Sequence, residues 1–262
     1  MKRFGKQPLF SPKKVIAIGD THGEDEKLKK LLNKIPNDKS IHVVFIGDLL
    51  GSSSSNINLL KTIKKFKEDF PGEVFVIEGN HDRAFLELTL SGKNFKAIKP
   101  AIQGLFPNQE ISPEVITPQV IQDLLKKEGD LLEIFKSTIP YYETENLLIT
   151  HAPINSSQWV AFGGKRFWDE FEEDDLEFGG ILDSMAWELR TSFQDPENLK
   201  VPGMPKFLIC GHQFLANPPE RYAHKAPRVF SHRAYLDCGC GYRDNRDLFA
   251  LEFPSKKIIN SK

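Results

Sequence analysis

Short apolar runs recur along the chain, and most stop at a polar cluster that begins or sits beside a glycine. Val15-Ile16-Ala17-Ile18 gives way to Gly19-Asp20, and Val43-Val44-Phe45-Ile46 to Gly47-Asp48. Val74-Phe75-Val76-Ile77 soon meets Gly79-Asn80-His81, Leu147-Leu148-Ile149 meets Thr150-His151, and Phe207-Leu208-Ile209-Cys210 meets Gly211-His212. Runs this short, rich in β-branched residues and without alternation, predict strands buried on both faces of a sheet. Two more strands are expected at Ala234 to Asp237 and Leu248 to Phe253, joined through the turn Cys238-Gly239-Cys240-Gly241.

Helical spacing fills the gaps. Leu28, Leu31, Leu32 and Ile35 stand at i, i+3, i+4 and i+7, so they share one face, and Leu59, Leu60, Ile63 and Phe66 repeat the pattern. Glu24, Asp25 and Glu26 open the first of these helices and lysines follow, the order its dipole favours. Strand, helix, strand, helix, strand implies right-handed βαβ units, so the fold class is α/β. Two segments interrupt the rhythm and are read as insertions over the sheet edge within one domain spanning 1–262. The first, at about 91–142, carries helical spacing in Val120, Ile121, Leu124, Leu125 and then Leu131, Leu132, Phe135. The second, at about 154–205, holds Trp159, Phe162, Phe167 and Trp168, which either stack on an aromatic group or pack the insertion onto the core. Its acidic stretch from Asp169 to Asp175 reads as a solvated loop.

Composition narrows the class without naming it. Thirty-five basic and thirty-six acidic residues give a net charge of −1, which leaves a nucleic-acid-binding role unsupported. No run approaches the roughly 18 apolar residues of a membrane span, and the first residues lack the apolar core of a secretory signal. Three cysteines, Cys210, Cys238 and Cys240, are too few for a disulfide framework, so the expectation is a cytoplasmic protein. Cys238 and Cys240 read as buried structural thiols, and His42 and His224 receive no role.

The polar clusters carry the chemistry. In an open α/β sheet, ligands bind beyond the carboxyl ends of the strands. Asp20, Asp48, Asn80, His151 and His212 each lie one to three residues past such an end, and His22 shares the loop of Asp20. Two Asp, one Asn and three His form a mixed oxygen and nitrogen set suited to Mn, Fe, Zn, Co or Ni rather than to Ca. Six groups exceed the three protein ligands typical of one catalytic ion, so two ions roughly 3.5–4 Å apart, sharing one carboxylate, are expected. Water between such ions loses a proton near neutral pH instead of near pH 15.7 or so, and the resulting hydroxide attacks phosphorus in line. The reaction class predicted is phosphoester hydrolysis.

Gly19-Asp20-Thr21-His22-Gly23, Gly47-Asp48, Gly79-Asn80-His81-Asp82, His151 and Gly211-His212 resemble the signature of calcineurin-like metallophosphoesterases. The resemblance is closest to the phosphoprotein phosphatase branch, particularly its bacterial-type members. Residues 135–154, the segment 185–193 and the block Tyr235 to Phe253 are also similar to that branch, and about residues 13–254 are covered. The resemblance implies a four-layer α/β/β/α sandwich. It implies that Asp20 and His22 hold a first ion, that Asp48 bridges, and that Asn80, His151 and His212 complete the second position, with manganese the expected metal. It further implies His81 as the general acid that protonates the leaving oxygen and Arg190 as a phosphate clamp.

Two departures stand out. The branch carries Gly-Asp-x-x-Asp-Arg-Gly, whereas this chain reads Gly47-Asp48-Leu49-Leu50-Gly51-Ser52-Ser53. The acid that orients the general acid is therefore missing at Gly51, and the phosphate-binding Arg at Ser52. Asp82 is an imperfect stand-in for the first, since adjacent side chains diverge. Arg83, Arg166 or Arg190 are the candidates for the second, and of these only Arg190 has a counterpart in the branch. The expected activity is hydrolysis of phosphomonoesters, on a phosphoprotein or a small molecule. A phosphodiesterase or dinucleoside polyphosphate hydrolase is the alternative enzyme, and a non-catalytic scaffold the alternative of another class. Oligomeric state has no signal in the sequence.

Overall fold

Alternate residues of the first strand, β1 (Lys14–Ile18), face two different cores. Ile16 and Ile18 pack on helices, while Val15 and Ala17 pack on a second sheet, which is why the run shows no polar alternation. The computed structural model describes residues 8–152, 206–212, 226–241 and 246–262. In chain order the elements are β1, α1 (Asp25–Leu32), β2 (Ile41–Phe45), α2 (Asn56–Asp69), β3 (Glu73–Val76) and α3 (Asn80–Ser91). They continue with α4 (Phe95–Leu105), α5 (Pro118–Lys127), α6 (Leu132–Lys136), β4 (Tyr141–Glu143) and β5 (Leu147–Thr150). The last are β6 (Phe207–Cys210), β7 (Arg228–Val229), β8 (Arg233–Tyr235), β9 (Phe249–Phe253) and β10 (Lys257–Asn260).

These strands form two five-stranded sheets, ordered β10-β9-β1-β2-β3 and β4-β5-β6-β8-β7. Parallel pairing of β1 with β2 and β2 with β3, through α1 and α2, gives the two βαβ units. In the second sheet β5, β6 and β8 are parallel to one another. Val15, Ala17, Val44, Ile46 and Leu251 of the first sheet pack against Leu147, Ile149, Ile209, Ala234 and Leu236 of the second. The helices α1 to α6 share one apolar core with the opposite face of the first sheet. Among the described residues the layers are therefore α/β/β, and the second insertion lies outside them. The fold is the mixed α/β, two-sheet architecture that the sequence predicts.

One connection crosses between the sheets. The runs at 234–237 and 248–253 do not pair with each other. β8 lies beside β6 in the second sheet, and β9 lies antiparallel to β1 in the first, with register Ile18 opposite Ala250. The glycine-rich segment between them carries the chain from one sheet to the other across the rim where the strand ends meet.

Candidate metal centre

The carboxyl ends of β1, β2 and β3 and those of β5, β6 and β8 open onto one rim. Asp20 and His22 follow β1, Asp48 follows β2, Asn80 is the first residue of α3 after β3, His151 follows β5, and His212 follows β6. All six predicted ligands are brought to that rim.

His151 shows how tightly. Its Nδ1 donates to the Ile46 carbonyl at 2.8 Å. That bond fixes the ring and turns Nε2 toward Asn80 Oδ1 at 3.1 Å, His212 Nδ1 at 3.1 Å and Asp48 Oδ1 at 3.4 Å. Four potential ligand atoms thus converge, with the far ring nitrogen of the central histidine tied to a backbone carbonyl, the arrangement usual behind a metal-ligating imidazole. Burial alone would lower the His151 pKa, but the Asp48 carboxylate at Nε2 drives it up to about 10. Burial pushes His22 and His212 down to about 4, which leaves both rings neutral and able to donate a lone pair at neutral pH. Burial would raise Asp48, and the imidazoles of His151, His81 and His22 hold it well below the usual carboxylate range.

Asp48 also belongs to a second group. Its carboxylate, a ring nitrogen of His22 and one of His81 lie within 4.8 Å of one another, as do donor atoms of Asp48, His151 and His212. One carboxylate shared by two clusters is what a two-ion site needs. A third group, Asp20, His22 and Asp237, meets the same 4.8 Å limit. Asp20 Oδ2 accepts from the His212 amide at 2.9 Å, while Oδ1, fully buried, has no hydrogen-bond partner among the described residues. A buried carboxylate oxygen left without a donor fits a cation. The donor chemistry therefore suits divalent transition ions. Asp237 escaped the sequence reading, although its signal was the same as that of Asp20: an acid just beyond an apolar strand.

The backbone is bent to reach this geometry. His22, Asp48 and His212 take positive φ values of 43°, 48° and 63°. Left-handed backbone at a non-glycine residue costs roughly 1–3 kcal/mol and persists only where the surroundings impose it. For His22 the surroundings are two glycines. A Cβ at Gly51 would lie 2.1 Å from the His22 carbonyl oxygen, and one at Gly241 would lie 2.6 Å from His22 Cβ. Gly51 is held there by Asn56, whose Oδ1 accepts from the Gly51 amide at 3.2 Å and whose Nδ2 donates to its carbonyl at 2.8 Å. The stretch at 51–53 is thus rebuilt around Asn56, with no room for the acid the branch carries.

His81 sits in the first turn of α3, its amide donating to Asp48 Oδ1 at 3.0 Å and its ring centroid 5.6 Å from that of His22. Asp82 is not its partner. The Asp82 carboxylate accepts from the Leu49 and Gly79 amides, each at 3.0 Å, so both oxygens are committed to the loops. Burial pushes the Asp82 carboxyl up to about 7. Arg83 Nε donates to buried Glu78 at 2.9 Å. Arg166 and Arg190 lie outside the described residues. His42 donates or accepts at Tyr142 with a 2.7 Å bond, a structural contact away from the rim. Cys238 and Cys240 are buried free thiols, and burial pushes Cys240 up to about 12.

Comparison with known proteins gives the class. The family model for calcineurin-like phosphoesterases matches residues 13–214, and the chain belongs to that divalent-metal-dependent family. A probable serine/threonine-protein phosphatase of Encephalitozoon cuniculi is 35% identical over 68 residues, covering 26% of this chain and 15% of the relative. Serine/threonine-protein phosphatase PP1-delta of Caenorhabditis elegans is 29% identical over 68 residues, covering 26% and 22%. The matched stretch thus spans less than a quarter of either relative. A putative diadenosine tetraphosphatase shares the fold with a TM-score of 0.54 at 18% identity over 96% of both chains. A cold-active protein-tyrosine phosphatase of a Shewanella species shares it with a TM-score of 0.56 at 14% identity, over 100% of this chain and 84% of that one. No helix among the described residues is long and apolar enough to cross a membrane.

Proposed function

We propose that this phosphoesterase uses two divalent ions, manganese foremost, to hydrolyse phosphomonoesters, with His81 as general acid. The observation that carries the reading is that Asp48 lies within 4.8 Å of a donor atom of His22 on one side and of donor atoms of His151 and His212 on the other. Bound ions supply a nucleophile at neutral pH and neutralise charge on the phosphoryl oxygens. The protein supplies placement. Asp48 accepts the His81 amide, so the carboxylate common to both groups also sets the first turn of α3 and the ring of His81. That ring is partly exposed beside a buried cluster, where it can hand a proton to the oxygen of a departing group. Arg190 is the phosphate clamp in this reading, with Arg83 and Arg166 as lesser candidates. Arg83 enters with its guanidinium already engaged by Glu78. Identity to serine/threonine phosphatases supports a phosphorylated protein or small molecule as substrate, in the cytoplasm.

One observation favours a second reading. Ser52 takes the place of a phosphate-binding Arg, and the adjacent backbone is locked by Asn56. A site short of one cation suits a singly charged phosphodiester or anhydride better than a dianion. Matched aryl phosphate monoester and diester substrates, assayed with Mn²⁺, separate the two. Faster monoester turnover is expected, and faster diester turnover would transfer the proposal to the second reading. His81→Ala is expected to retain metal and to lose roughly 10²–10⁴-fold in turnover on a poor leaving group. Unchanged turnover in that variant would remove the general-acid role. Absence of both turnover and metal uptake in the intact protein would leave a scaffold.

A further inference from the structure

The group formed by Asp20, His22 and Asp237 goes beyond the six ligands expected from the sequence. We infer that Asp237 is an additional carboxylate ligand of the first metal position, completing with Asp20, His22 and the shared Asp48 a set of three carboxylates and one imidazole. This rests on the reading that the rim holds two ions, and adds a residue to it.

Three observations converge on Asp237. Its carboxylate lies within 4.8 Å of a donor oxygen of Asp20 and a ring nitrogen of His22, although it stands 217 positions beyond Asp20 in the chain. It is 7% exposed beside Asp20 at 1%, and two buried carboxylates side by side are costly to ionise together unless a cation compensates. Asp20 brings a buried oxygen, Oδ1, that accepts no hydrogen bond among the described residues. The fold builds the approach. The chain leaves β8 in the second sheet and crosses to β9 in the first, and Asp237 is placed at that crossing, beside the end of β1. The Gly239 amide donates to Asp237 Oδ1 at 2.9 Å, which orients the carboxylate and leaves its other oxygen for an ion. An oxygen-rich position of this kind suits a hard, six-coordinate cation such as Mn²⁺ or Fe²⁺.

The test is Mn²⁺ titration by calorimetry of the full chain and of Asp237→Asn, with thermal melts in chelator and in Mn²⁺. The intact protein is expected to bind two ions. Asp237→Asn is expected to weaken one of them about tenfold or more. In chelator the variant should melt no lower than the parent, because the amide removes crowding among three acids, and its gain in melting temperature on adding Mn²⁺ should be smaller. Asp237→Glu, which retains the carboxylate, should recover part of the affinity. Two ions bound by Asp237→Asn with parental affinity would overturn the assignment while leaving the two-ion reading intact. So would a variant whose melting temperature falls equally with and without Mn²⁺, since that marks a structural residue. An intact protein that binds no Mn²⁺ would overturn both.

Discussion

Gly51 and Gly241 press on His22 from two sides, and neither contact leaves space for a methyl group. His22 is held with positive φ at that point, so its backbone cannot back away without losing the ring's place beside Asp48. Restoring the aspartate that related phosphatases carry at position 51 is therefore expected to harm this protein. Gly51→Asp should lower stability by about 1–3 kcal/mol, the usual cost of overpacking, and weaken metal binding with it. Thermal melts and metal titration check this, and a variant as stable as the parent with higher turnover would contradict it. The sequence showed that position 51 departs from its relatives, because a missing carboxylate is visible in a string of letters. That the departure is compensated by Asn56 was not visible, since a side chain five residues away that bonds both amide and carbonyl leaves no motif. Asp20, Asp48, Asn80, His151 and His212 were legible because each obeys one rule, a donor placed just after an apolar run. Asp237 obeys it too, but the run at 234–237 takes in the acid itself, which hides the acid inside the strand.

Among the elements, α3 is tied at its start by one side chain. Asp82 accepts the amide of Gly79 at the helix start and that of Leu49 from the loop after β2. The first bond is the acidic half of a capping box, and the second ties the helix to the loop that carries Asp48. Asp82→Ala leaves both buried amides without an acceptor, and a loss of roughly 2–4 kcal/mol is expected. Loosening should spread to His81, one residue away, so turnover falls along with stability. Denaturant unfolding of the variant measures the first effect, and an unchanged midpoint would show that the amides find other partners. Strands marked by a short apolar run, β1, β2, β5 and β6, and helices with clean periodicity, α1 and α2, could be read in advance. Pairing could not. β7 and β10 are two and four residues long, and β9 attaches to β1 across more than two hundred residues of sequence, a partner that no local pattern names.

At the scale of the whole molecule, two sheets meet along one rim and each contributes ligands to it. Ions bound there would bridge the sheets, adding to the apolar contacts between them. Each ion present at about 100 times its dissociation constant contributes about 2.7 kcal/mol. Removal of both by chelation is expected to lower the melting temperature by on the order of 10 °C for a chain of this size. A chelated protein that melts at the loaded temperature would show that the rim is held without them. His22, Asp48 and His212, meanwhile, retain their left-handed backbone. Those three positions are where glycine would fit the main chain better than the residue that is there. A library of this protein selected for heat tolerance in the presence of chelator should therefore shed its chemistry first at these positions. The same library selected with manganese should keep all three, so the choice of buffer alone would decide whether selection preserves an enzyme or only its shell.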